Sequence, residues 1–330
     1  MSLLFWRGRT DKKATAPRGT RAGAVIDASA IVPVIKSRQW VQEKLFAVQE
    51  TGGPAPTPDP WIEDYNEQLV VAYAEYSAAF RYCPRSDVEA SGIPIQDLRR
   101  RALQNLKERT PARSITPRPP ICYANVGGHL EASMLLLEEF WSDKRLPPEG
   151  AKLVAVSDRD SLAAGMNTLP STVWEMARLT AQAHRSQPFP ISPLLFARTG
   201  PRADNSTVGN SPFVAIDSGL NDESHPIQNL DVIDALGVKN EGGALLALII
   251  AAPLDASARS VFRLFRKIEG YLAYVASDAF RAECGPPSPE TTDIRVRIHR
   301  ESAPEIFDLL ADVRNWVEEH DSLLTVNTDE

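Results

Sequence analysis

Seven residues in two short stretches carry side chains and spacings from which chemistry could be built. Gly127, Gly128, His129 and Glu131 lie in PICYANVGGHLEASMLLLEEFW (120–141), and Asp158, Arg159 and Asp160 lie in SDRDS (157–161). A glycine turn entering a helix can hold an anion, because free N–H groups and the helix dipole point at it. The spacing G-G-H lacks both G-x-G-x-x-G and G-x-x-x-x-G-K-[ST], so the favoured reading is a sharp reversal that a side chain would block. His129-x-Glu131 is the first half of the zinc-deaminase pattern, but the P-C-x-x-C that must complete it occurs nowhere. Asp158 and Asp160, with Glu131 folded near them, could bind a divalent cation or act as acid and base. The commoner use of such a loop is an aspartate capping backbone N–H groups, tied to its arginine.

Other chemistries find less support. There is no G-x-S-x-G, and Cys83, Cys122 and Cys284 sit in no recognisable catalytic context. His184, His225, His299 and His320 have no ligand-like spacing. Asp217, Asn221, Asp222 and Glu223 suggest calcium by composition, but the spacing and central glycine of an EF-hand are missing, so 200–226 reads as a loop. No metal and no cofactor is called for.

The elements that must position these residues follow from periodicity. Ile121, Tyr123 and Val126 mark a strand running into Gly127-Gly128. Leu130, Met134, Leu137 and Trp141 recur at helical spacing, beside a stripe of Ser133, Leu136 and Phe140, which predicts a helix buried on several faces. Upstream, Ile31–Val48 is expected as a helix, TGGPAPTPDP (51–60) as a linker, and Leu69–Tyr76 and Ala78–Tyr82 as strands. A brief helix capped by Ser86 or Asp87 ends at Gly92. Ile95, Leu98, Ala102 and Leu106 mark the next helix, with Arg99, Arg100 and Arg101 on its wet side. Residues 110–120 read as a proline-rich connection. After the anchor come strands at 152–157 and 162–166, a helix at 171–184 and a strand at 194–198.

The second half reads β-β-α-β-α-β. Val232–Val238 and Ala244–Ala252 form a hairpin, and Val261, Phe265, Ile268, Leu272 and Val275 stripe a long helix. Ile294, Val296 and Ile298 alternate with Asp293, Arg295, Arg297 and His299, so one face of that strand is wet and antiparallel pairing is expected. Ser302 and Glu305 fit a capping box, and Leu323–Val326 is a last strand.

Composition bounds the class. A chain of 330 residues favours more than one domain, and 43% hydrophobic with 24% charged residues is ordinary for a soluble globular protein. The net charge of −7 argues against nucleic-acid binding by bulk electrostatics. Three cysteines far apart argue against a disulfide framework and for a reducing, cytoplasmic setting. The start has too short an apolar run for a signal peptide, and the longest run, Ala244–Leu254, is too short to span a bilayer. The organisation expected is an α+β fold in two small mixed modules. A basic, disordered leader (1–23), able to touch a partner or a membrane surface, precedes an α+β domain (24–200). A polar linker (201–228) then leads to a second α+β domain (229–330) with a largely antiparallel sheet.

Residues 31–200 resemble the bacterial DUF1444 (YtpQ-like) family, through IVPVIKSRQWV, NEQLVVAYAEY, LRRRALQNLKER, NVGGHLEASMLLLEEFW, VAVSDRDSL and PISPLLF in that order. Residues 229–327 resemble the DUF6572 family, through LDVIDALGV, the hairpin strand after it, IEGYLAYVAS and IRVRIH; between hairpin and helix this chain departs from that pattern with APLDASARS. Both resemblances imply α+β modules and neither implies a chemistry. The expected function is a cytoplasmic bacterial protein that binds or regulates another protein, of the kind that masks a partner, without catalysis. The alternative is a metal-assisted hydrolase or nucleotide-binding enzyme using Glu131, Asp158 and Asp160.

Overall fold

A computed structural model describes residues 26–43, 60–77, 80–199, 211–240 and 242–329. The leader and the segment 51–59 lie outside these residues. The described residues form an α+β fold with three sheets and helices between them.

The first sheet holds β1 (Ile31–Ser37), β2 (Ile62–Asp64), β3 (Leu69–Tyr76) and β4 (Phe80–Tyr82), with β1 and β2 flanking β3 and all pairings antiparallel. The expected helix at Ile31–Val48 is thus a strand at first, and residues 38–43 (α1) are helical; 44–48 lie outside the described residues. The run Ile31, Val32, Val34, Ile35 is β-branched and buried along its length, which suits a pleated surface better than a helix. Pro33 would break a helix interior, yet it is tolerated here because β1 is an edge strand. Helices α2 (Arg85–Ala90) and α3 (Ile95–Arg109) follow, the second burying Leu98, Ala102 and Leu106 as its period requires. Neither Ser86 nor Asp87 caps α2; Pro84 precedes its first turn.

The central sheet has six antiparallel strands in the order β10-β9-β7-β8-β6-β5. They are β5 (Ser114–Arg118), β6 (Ile121–Asn125), β7 (Lys152–Ala155), β8 (Ala163–Met166), β9 (Leu195–Arg198) and β10 (Phe213–Ala215). Both β5, in the expected proline-rich connection, and β10, in the expected polar linker, correct the sequence reading. Each is a short strand at a sheet edge, where prolines and polar residues are accepted.

This sheet divides the core. Along β7, Leu153 and Ala155 face one hydrophobic cluster while Val154 and Val156 face the other, and Leu195 and Phe196 of β9 split the same way. One cluster joins the central sheet to the first sheet and to the 130–142 segment. The other joins it to helix α4 (Pro170–Ser186) and to the whole C-terminal module. Trp174 of α4 packs edge-on to Phe265 and Trp316, with ring centroids at 5.3 and 5.6 Å, so the C-terminal module docks on the face of α4 that the central sheet leaves free.

That module contains β11 (Ala235–Val238), β12 (Ala244–Ile250), α5 (Ala258–Val275), α6 (Asp278–Cys284), β13 (Thr292–His299), α7 (Pro304–Asp312), α8 (Arg314–Glu318) and β14 (Leu323–Asp329). The β-β-α-β-α-β order holds, with α6 and α8 as additions. The expected antiparallel pairing does not: β11 and β12 are antiparallel, but β12–β13 and β13–β14 are parallel. The wet face that motivated the expectation arises differently. Residues of α5 and α7 share a core with Leu246, Leu248, Ile250, Ile294, Val296 and Ile298, so both crossover helices cover one face. The other face keeps the alternation of a half-exposed strand. The capping box is also absent. Ala303 precedes α7 without a side-chain cap, while the Ser302 hydroxyl accepts from the backbone N–H of Leu254 at 3.0 Å and holds the β12–α5 connection.

Candidate functional site

The glycine turn takes a conformation that only its composition permits. Gly127, Gly128 and His129 have φ of 94°, 101° and 76° in succession, a region that is free for glycine and unfavourable for histidine. What stabilises it is Glu131. One of its carboxylate oxygens accepts from Gly128 N–H at 2.8 Å and Val126 N–H at 3.3 Å, and the other from Leu130 N–H at 3.2 Å. The residue is only 5% exposed. The turn does hold an anion, and that anion is the chain's own carboxylate.

The predicted helix beyond it is replaced by two 3-10 turns, Ala132–Leu136 and Glu138–Ser142, with Leu137 extended between them. The cause lies in the carbonyl of Leu135, which an α-helix would reserve for a residue four positions on. It instead accepts from Tyr65 Oη and from Trp141 Nε1, each at 3.3 Å. Splitting the segment also turns Met134, Leu135, Phe140 and Trp141 into one core, the outcome a segment apolar on every side needs.

The acidic loop lies against this turn. Ala132 N–H donates to the carbonyl of Arg159 at 3.2 Å, and His129 Nδ1 is 3.6 Å from Asp160 Oδ1. Sequence and structure therefore agree that the two stretches meet, but their carboxylates do not converge on a shared ligand. Asp158, 5% exposed, accepts from the Ser157 hydroxyl and the Asp160 N–H, both at 2.9 Å, and burial pushes its carboxyl above the ordinary value. Asp160 grips the Arg159 guanidinium at 2.7 and 2.9 Å. Burial alone would raise Asp160, yet the guanidinium and His129 outweigh it and the net shift is downward. Arg159 in turn stacks on Phe189, 3.9 Å from the ring centroid. Among the described residues no group of three His, Cys, Asp or Glu side chains could hold a metal ion. Asp217, raised by composition as a calcium ligand, instead pairs with the fully buried Arg263 at 2.8 Å.

A cavity of about 260 Å³ adjoins the loop between α4 and the central sheet, lined by Tyr123, Ser157, Ser161, Met176, Thr180 and Gln187 among others. None of the seven candidate residues lines it, and no charged side chain does. It can receive a small neutral molecule, and Tyr123 and serine hydroxyls are among the polar groups it offers, with no carboxylate, histidine or lysine in its lining.

No family model, curated protein or solved structure matches this chain. The comparisons therefore lend no support to the expected likeness to the DUF1444 and DUF6572 families.

Two charged groupings escape a reading by motif. Lys152 and Arg198 are buried side by side in the central sheet, and the only signal is a cation at one end of each of two otherwise apolar strands. Arg263 and Lys267 lie on the buried stripe of α5, one turn apart, where the helical period expects apolar residues. There they hold the 217–234 segment: Arg263 bonds the carbonyls of Ile227 and Gln228, each at 2.9 Å, and Lys267 bonds Asp234 at 2.6 Å.

Proposed function

We propose that this chain is a cytoplasmic protein that binds and regulates another protein, without catalysis at the Gly127–Asp160 cluster. The observation that carries the reading is strand β11. All four of its residues are exposed, Leu236 by 37% and Val238 by 49%, although the strand is hydrogen-bonded into a sheet. Val232 and Ile249 are exposed as well, Ile249 on the opposite face of the sheet. An edge strand with unpaired backbone groups and apolar side chains is a template for one more strand. The occupant we assign is therefore an extended, apolar segment of a partner protein. The internal use of Glu131, Asp158 and Asp160 supports the same reading, since each carboxylate is already bonded within the turn and the loop. Three free cysteines, two of them buried, support a reducing compartment, and no described helix is long and apolar enough to cross a membrane.

The test is site-specific photo-crosslinking from position 238 in the native host, with Leu236→Asp as control. The expected result is one dominant heterologous adduct, lost in the Asp variant while its circular dichroism is unchanged. No adduct, an adduct indifferent to Leu236→Asp, or an adduct only with a second copy of the chain overturns the proposal.

A further inference from the structure

Lys152 opens β7 and Arg198 closes β9. The antiparallel register that sets Leu153 opposite Ala197 makes 152 and 198 the next opposed pair, on the face that carries Val154 and Phe196. Their side chains are 5% and 4% exposed. Two like charges facing each other across a ladder repel, and burial strips both of hydration. Their counter-charges are two carboxylates that reach in from water. Glu149 bridges the pair, 2.5 Å from Arg198 Nη1 and 2.7 Å from Lys152 Nζ, and Glu138 meets Arg198 Nη2. The side chains of Glu149 and Glu138 are 54% and 71% exposed. Arg198 Nε is buried with no hydrogen-bond partner among the described residues. All four side chains line one open cavity of about 630 Å³, together with Trp141 and Pro148.

We propose that this cavity binds a phosphate-type oxyanion, a phosphate ester or diphosphate, between Arg198 and Lys152, with Glu149 as the displaceable occupant of the empty site. The asymmetry of burial argues for it. The cations are fixed in the sheet and cannot return to water, whereas Glu149 is more than half hydrated and its release carries a small penalty. A guanidinium presents a planar fork that a tetrahedral oxyanion engages at two nitrogens. The buried Nε shares its edge of the fork with Nη2, where Glu138 sits, so an anion that replaces Glu149 alone engages Nη1 and Lys152. The volume lies in the range of small-molecule sites and leaves room beyond a bare ion. The cavity lies apart from β11 and from the acidic loop, so its fate is independent of the function proposed above.

Calorimetric titration of the full chain with inorganic pyrophosphate at low salt, with a nucleoside diphosphate in parallel, tests this. Wild type is expected to show saturable, equimolar binding. Glu149→Gln should tighten it by about tenfold, the equivalent of removing one competing charge-assisted hydrogen bond. Arg198→Lys, which keeps the charge and removes the fork, should weaken it by a similar factor. Equal affinity for the two ligands means that the anion alone is recognised; a tighter nucleotide means that the rest of the cavity reads the nucleoside. Absence of saturable binding in both wild type and Glu149→Gln, or equal affinity of these two proteins, overturns the proposal and leaves a structural ion cluster. Should Arg198→Lys fail to fold, the exposed Glu149 position decides alone.

Discussion

Replacing Glu131 separates a structural carboxylate from a chemical one. In Glu131→Ala the N–H groups of Val126, Gly128 and Leu130 lose their acceptor. The 2.8 Å bond from Gly128 is charge-assisted and is worth about 2 kcal/mol, while those at 3.2 and 3.3 Å contribute about 0.5–1 kcal/mol each. The Leu130 amide is buried and water does not replace its partner, so the expected loss is about 3–4 kcal/mol. Glu131→Gln is the sharper variant. Its amide oxygen can still accept from Gly128 and Val126, but its NH₂ then faces the Leu130 N–H, donor against donor, and about half the loss is expected. Urea denaturation measures the stability, and amide hydrogen exchange at Gly128 and Leu130 reports the turn itself. A change below about 1 kcal/mol in Glu131→Ala, with exchange at Gly128 unaltered, refutes the account of Glu131 as the bound anion of its own turn.

Three further outcomes follow from the same geometry. Gly128→Ala should cost about 1–2 kcal/mol in a melting experiment although a Cβ there meets nothing within 4 Å, because φ of 101° is the whole penalty; His129→Gly should be neutral or stabilising. Arg263→Met leaves the buried Asp217 with Arg259 at 3.1 Å and the Gly219 N–H at 2.9 Å, and should cost about 3–5 kcal/mol, with limited proteolysis newly cutting the 217–230 segment. Burial holds His225 and His184 below the ordinary histidine value, so the unfolded chain takes up the proton first. Their contribution is intact above that value and is lost as pH falls from neutral through the histidine range. Thermal stability should decline over this window and decline less steeply in His225→Gln; an unchanged slope contradicts the assignment. Asp158, raised by burial, acts with the opposite sign but at lower pH, within the carboxylate range.

Much of the C-terminal module was legible because its segments are strongly periodic. The stripe of α5 and the alternation of β13 each recur over several turns or residues, and a single residue cannot change their meaning. Ile31–Val48 misled because helix and strand both explain a short apolar run, and Pro33 was the cue that distinguished them. At the candidate site, the meeting of the glycine turn and the acidic loop was legible, since both flank strands of adjacent hydrophobic character. The direction in which each carboxylate points was not.

The residues by themselves determined the α+β class, the left-handed turn at Gly127–Gly128 and the order of strands and helices in the second module. These follow from local sterics and from the period of apolar side chains, which are properties of neighbouring residues. Tertiary structure alone decided the parallel pairing of β12, β13 and β14, the splitting of the 130–142 segment and the company kept by every charge. A wet strand face results equally from antiparallel neighbours or from helices stacked on one side. The carbonyl of Leu135 was claimed by Tyr65, seventy positions away. Lys152 and Arg198 became opposed only when two strands found their register, and Glu131 found its partners only when the turn closed around it. Hydrogen bonds and ion pairs act over a few ångströms, and which groups come within that reach is set by the folded chain.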